Sequence, residues 1–297
     1  MNRLLAVTAV SILAALSACQ RQAPAVAAAA SPAAANTPDD SLKTLTRAAF
    51  PEWKGGDAVV LEVPSYNRPN ERTTVAATPT LVVPVDATHR ALVLVGTPAD
   101  DEGHENASHA EGGNLGVYGF ELRDGHWVKT TTQDSVLWSG SSGALGEVKQ
   151  VDLSPGRPAL AVEGGWTGQG YDVGGLDLVA LEPAGARVVL ADVRLHSDSL
   201  GLIDGCGEWL NKNVPPSAQV QADLTPENCF DVDSTWHVEP HAGAQRGDIV
   251  ITFDGHRLAV DAKTAAKTVQ AVTGTLVYRY GKSGYEKASG ENLAPEV

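Results

Sequence analysis

Short runs of apolar and β-branched residues, cut by Gly, Pro and Asp turns, recur along this chain in three groups of four. The first group is TLVVPV (80–85), ALVLVG (91–96), GVYGFEL (116–122) and HWVKTT (126–131). The second is EVKQVDL (147–153), ALAVEG (159–164), GLDLVAL (175–181) and RVVLADV (187–193). The third is TWHVEP (235–240), DIVITF (248–253), TLVYRY (275–280) and GYEKA (284–288). In each group the second run is almost continuously apolar, as a strand covered on both faces requires. The connections from first to second run and from third to fourth are short, which makes the neighbours antiparallel hairpins. Helical periodicity is scarce; VDAKTAAKTVQAV (260–272) fits one short helix best.

A four-stranded antiparallel meander that repeats is the unit of a propeller blade. The expected fold is therefore all-β, a partial β-propeller-like array of about three four-stranded antiparallel blades with one short helix. A β-sandwich built from the same hairpins is the alternative. The segment DAVVLEV (57–63) offers an extra edge strand. Within the second group, VDLSPGRPALAV (151–162) resembles the calcium loop of the integrin-type FG-GAP blade. Asp152 and Gly156 fit that pattern, but Ser154 and Ala159 stand where it calls for acids, which argues against calcium at this place. Asp231 and Asp233 in DVDSTW form a fainter version of the same loop.

The amino end is of another kind. Arg3 precedes an apolar run from Leu4 to Leu16, too short for the roughly 20 residues that span a bilayer. A charged start, a short apolar stretch and small residues before a cut site make a secretory leader. Leu16-Ser17-Ala18-Cys19 resembles a bacterial lipobox, and the resemblance implies a leader over 1–18 and a lipidated Cys19 at the new amino end. Gln20 follows where an Asp would retain such a protein in the inner membrane. The implied location is the outer membrane, lipid-anchored and facing the periplasm. Residues 19–41, mostly Ala and Pro beyond the cysteine, bury too little to offset their ordering entropy and read as a tether. A single β-rich domain is expected over 42–297.

Loss of the leader leaves two of three cysteines in the domain, Cys206 and Cys229, and an even pair in an oxidising compartment reads as a disulfide. The chain carries 22 Lys and Arg against 36 Asp and Glu, a formal charge of −14; without Arg3 the balance is 21 against 36, or −15. Nucleic acid is not an expected partner of such a surface, whereas a basic protein is.

Alternating hairpins place the longer segments, 97–115, 132–146, 165–174, 206–229 and 254–274, at one end of the sheets, where binding usually resides. Two of them carry the candidate residues. ADDEGHENASHAEGG (99–113) supplies Asp100, Asp101, Glu102, His104, Glu105, His109 and Glu111. Its histidines are five apart among glycines, unlike the one-turn spacing of a His-Glu-x-x-His zinc helix, so no metal is expected there. GGWTGQGYDVGG (164–175) supplies Trp166, Gln169 and Tyr171, aromatic anchors on a glycine-rich backbone. SGSSG (139–143) lacks nucleophile-elbow spacing, neither domain cysteine has a base beside it, and no Gly-rich phosphate loop opens a helix. Neither catalysis nor a cofactor is expected.

The combination of lipobox, tether, acidic β-rich domain and disulfide is similar in format to periplasmic immunity lipoproteins. These include the calcium-binding propeller-like inhibitors that protect xanthomonad cells from lysozyme-like effectors of type IV secretion. The resemblance implies a protein-binding module that occludes a basic cell-wall hydrolase. The alternatives are an envelope assembly scaffold and a metal-dependent envelope hydrolase using His104 and His109.

Overall fold

The structure is a computed structural model, and it describes residues 38–66, 68 and 70–297. The expected leader, Cys19 and most of the tether lie outside the described residues. Residues from Pro38 onward form one compact unit.

The unit opens with helix α1 (Leu42–Ala49), whose first turn is capped by the Ser41 hydroxyl accepting from the Thr44 amide. Five strands follow as an antiparallel meander: β1 (Val59–Pro64), β2 (Arg72–Pro84), β3 (His89–Pro98), β4 (Gly113–Arg123) and β5 (His126–Ser139). β1 is the extra edge strand expected from 57–63, and the sheet curls into a half-barrel. The next meander is β6 (Glu147–Asp152), β7 (Pro158–Gly168), β8 (Tyr171–Glu182) and β9 (Gly185–Asp198). Two short helices, α2 (Cys206–Lys212) and α3 (Ala218–Asp223), lead to the last, β10 (Phe230–Glu239), β11 (Asp248–Val260), β12 (Lys267–Tyr280) and β13 (Tyr285–Ser289). β9 and β10 pair at only two positions, Asp198 with Asp231 and Ser197 with Val232. This short seam joins the second and third meanders into one eight-stranded sheet, where sequence alone suggested separate blades.

The strand pattern explains the layering. In β3, Leu92 and Leu94 pack under α1 with Leu45 and Tyr118, while Ala91 and Val93 face the other way. In β7, Leu160 and Val162 meet those residues, while Ala159 and Ala161 face a further core. That core holds Leu176 and Leu178 of β8 against Ile249, Ile251 and Phe253 of β11, so the eight-stranded sheet packs one half upon the other. Alternate residues of one apolar run thus enter different cores, which is why the run shows no polar face. Gln133 on β5 stitches two layers by pairing with Ala186 like a strand: its Oε1 accepts from the Ala186 amide at 2.6 Å, and its Nε2 donates to the Ala186 carbonyl at 2.9 Å.

Two sequence expectations are corrected. Residues 260–272 are not a helix. Asp261 Oδ1 accepts from the amides of Lys263 and Thr264, Ala265 turns with φ 55°, and residues 267–272 enter β12 paired with β11. A long ladder outweighs the helix propensity of the alanines. Likewise, much of 132–146, 165–174 and 254–274 is strand, because the hairpins run on well past their apolar centres.

The disulfide is present: Cys206 and Cys229 are bonded with Cα atoms 5.5 Å apart. Around it Trp209, Leu210, Leu224 and Leu258 form a satellite core. At the β6–β7 turn the Ser154 hydroxyl donates to the Gln245 carbonyl.

Candidate binding face and cleft

The acidic segment after β3 is held by its own side chains. Asp100 Oδ1 accepts from the amides of Glu102 and His104, each at 2.9 Å, and these bonds, the His104 amide foremost, hold its carboxyl below the usual range. Glu111 accepts from the Ser108 amide at 2.8 Å. The far side of the loop docks on the turn after β5: the Ser142 amide donates to the His109 carbonyl, the Gly143 amide donates to the Glu111 carbonyl at 2.7 Å, and His109 Nδ1 lies 3.2 Å from Ser142 Oγ. Ser141 in that turn donates to the carbonyl of Gly165, beside Trp166. The acidic loop and Trp166 are thereby linked through one turn. Asp101, Glu102, Glu105, His104 and His109 remain exposed to solvent. His104 sits by Asp100 and Glu102, whereas His109 turns to Ser142, so the two histidines do not converge.

The glycine-rich segment folds as the tip of the β7–β8 hairpin. Gln169 and Gly170 form its two-residue turn with φ 54° and 85°, the mirror-image turn that matches strand twist. A Cβ on Gly170 would come within 2.6 Å of the Leu202 backbone. Tyr171 stacks on the buried ring of Phe230 at 6.3 Å and is a packing residue at this end of the sheet. Trp166 remains 38% exposed.

Trp166 borders a cleft of about 610 Å³ between the two sheets. On the face of β7 and β8 that bears Asp177, the next pair is Gly164 with Gly175, which adds no side chain to the cleft. Tyr66, 48% exposed, and Trp138 add two further rings, 6.1 Å apart. At the cleft wall is Asp177 of β8, only 6% exposed. The β9 partner strand bulges here: Leu176 pairs with Val193 and Leu178 with Leu190, leaving Ala191 and Asp192 opposite Asp177. In the left-handed conformation, φ 53°, Asp192 aims its amide at Asp177 Oδ1, 2.8 Å away. The Ser139 hydroxyl donates to Oδ2 at 2.9 Å. Burial nevertheless pushes the Asp177 carboxyl up, and the neighbouring Asp192 charge adds to this against the two hydrogen bonds. Bulges of this kind re-aim polar groups at functional sites.

A second polar group gathers where β8, β9 and β10 meet. His196 has Asp233 Oδ1 2.6 Å from Nδ1 and Asp198 Oδ2 3.1 Å from Nε2. Asp172 with His196 and Asp198, and His196 with Asp231 and Asp233, each bring ligand-type atoms within 4.8 Å of one another, so these residues could hold a metal ion. A metal would need a neutral imidazole nitrogen, whereas this geometry favours the imidazolium. Sequence reasoning reached only Asp231 and Asp233 of this group. It missed Asp177, whose sole signal is one acid inside the apolar run GLDLVAL.

Neither a protein-family model, a curated protein nor a solved structure matches the chain.

Proposed function

We propose that the chain is a non-catalytic binding module that captures a basic protein on the face formed by the 99–111 loop and Trp166. In this reading it is anchored to the outer membrane through Cys19 and faces the periplasm, with a cell-wall hydrolase as its first candidate partner. The observation that carries the reading is the pinning of the acidic loop through residues 141–143 to the strand bearing Trp166. Exposed carboxylates held in place steer an oppositely charged partner, and a preorganised loop loses little entropy on docking. Trp166 supplies the aromatic anchor typical of interface hot spots.

The test is capture from envelope extract by the full chain, compared with Asp101→Lys/Glu102→Lys and with Trp166→Ala. Near-equimolar recovery of a basic hydrolase, weakened by both variants, is the expected result. Capture untouched by either variant would overturn the assignment of the face, and recovery of a membrane assembly complex would favour a scaffold. The hydrolase reading no longer has a pair in His104 and His109; it would rest on the His196 group and requires stoichiometric metal and activity lost on chelation.

A further inference from the structure

We propose that the cleft beside Trp166 receives a single basic side chain of the partner, a lysine ammonium or an arginine guanidinium, against Asp177. This inference rests on the reading of the chain as a module for a basic protein and names the contact at its centre.

The first support is an unbalanced charge. Asp177 is buried, yet its protein partners are a hydroxyl and an amide, and among the described residues no cationic nitrogen pairs with it inside 4.0 Å. Two donors leave part of the capacity of a carboxylate unused, since its two oxygens offer about four lone-pair positions. Arg194, the cation at the cleft wall, is held instead by the Ala294 carbonyl at 3.0 Å and by Glu296 at 3.4 Å. A buried carboxylate without a counter-charge is costly, and a ligand that brings one relieves that cost. Asp192 adds a second carboxylate at the mouth.

The rings are the second support. Trp138, Trp166 and Tyr66 border the same space, and aromatic faces attract ammonium and guanidinium groups. An anionic ligand would meet the carboxylates, and a neutral sugar would leave Asp177 uncompensated. The third support is shape. About 610 Å³ accommodates a long side chain together with its flanking peptide.

The experiment is an NMR titration of the full chain, labelled at the tryptophan indoles, with capped Gly-Arg-Gly and Gly-Lys-Gly peptides. Capped Gly-Glu-Gly and a tetramer of N-acetylglucosamine are the comparison probes. The basic peptides are expected to shift the Trp166 and Trp138 signals with a Kd on the order of 1 mM. Asp177→Asn should weaken binding roughly tenfold or more. Should that variant fold poorly, Asp192→Asn is the second variant: asparagine tolerates the left-handed backbone, so the bulge is kept while one charge goes. A several-fold loss is expected from it. No shift at tens of millimolar, equal shifts by the acidic peptide or the sugar, or full affinity in both Asp192→Asn and Trp166→Ala would overturn the inference.

The two readings fail separately. If the peptides do not bind but Asp101→Lys/Glu102→Lys still abolishes protein capture, the cleft assignment falls and the binding face stands. If the peptides bind but capture ignores the acidic loop, the cleft stands as a cation site and the docking face is wrong.

Discussion

His196 Nδ1 lies 2.6 Å from Asp233 Oδ1, joining β9 to β10 beside the only two positions at which those strands pair. Burial depresses the imidazole pKa, but the bonds and charges of Asp233 and then Asp198 outweigh it, and the net shift is upward. A histidine whose folded pKa is raised contributes stability fully present below its unfolded value, about 6.5, and lost as pH rises through the folded value. Asp231, facing the same group, is raised by burial and by Asp233 and Asp198. Its contribution has the same sign and fades in a lower window that begins near its unfolded value of about 3.9. Denaturant midpoints should thus fall across the His196 window, and Asp233→Asn should lower the His196 pKa read by NMR. A flat stability profile through that window would contradict the clamp.

Leu160 lies in the core shared by the two sheets, with Val93, Leu115, Val117 and Val179 around it. Leu160→Ala leaves a void that neither rigid sheet can collapse into. A loss of about 2–5 kcal/mol in urea unfolding is expected. A loss below 1 kcal/mol would mean that the layers do not meet at this residue.

The Cys206–Cys229 bond closes a loop with a sequence separation of 23. Reduction, or replacement of both cysteines by serine, should cost about 3 kcal/mol by loop entropy. The damage should be local. Hydrogen exchange is expected to accelerate over 199–229, where Trp209, Leu210 and Leu224 share the satellite core, while β3 and β7 keep their protection.

Gly165→Ala tests how closely the β7–β8 hairpin that carries Trp166 is packed. An added Cβ would fall 2.2 Å from the Val173 carbonyl oxygen, so the hairpin has to shift. Roughly 1–3 kcal/mol of destabilisation should accompany displaced Trp166 indole signals. Gly168→Ala is the control for stability, because its Cβ would make only an ordinary contact, 3.7 Å, with the Trp166 ring.

Strands were legible wherever alternate residues enter different cores: Ala159-Leu160-Ala161-Val162 can be little else than a strand covered on both sides. Residues 260–272 misled because alanine and lysine carry helix propensity locally, while the decisive partner, β11, is supplied by tertiary pairing. Glycines at 164–175 suggested a loose loop; paired across a hairpin they instead allow close backbone approach. Of the candidate face, the exposed acids and Trp166 could be named from composition and spacing. Asp177 could not, since its place depends on a β9 bulge and on Ser139 from another sheet. His196 was hidden for the same reason: its acids come from β8, β9 and β10.

Among the described residues, every strand of both sheets is hydrogen-bonded to its immediate predecessor or successor in the chain and to no other. The consequence is kinetic. Hairpin neighbours close short loops, whose entropy is small, so each strand can add to an edge that already exists instead of waiting for a distant partner. Order can then spread from the amino end at the pace at which the chain emerges. Two places interrupt this spread: β6 opens the second sheet without pairing to β5, and residues 199–229 stand before β10, their satellite core being completed only when Leu258 of β11 is in place.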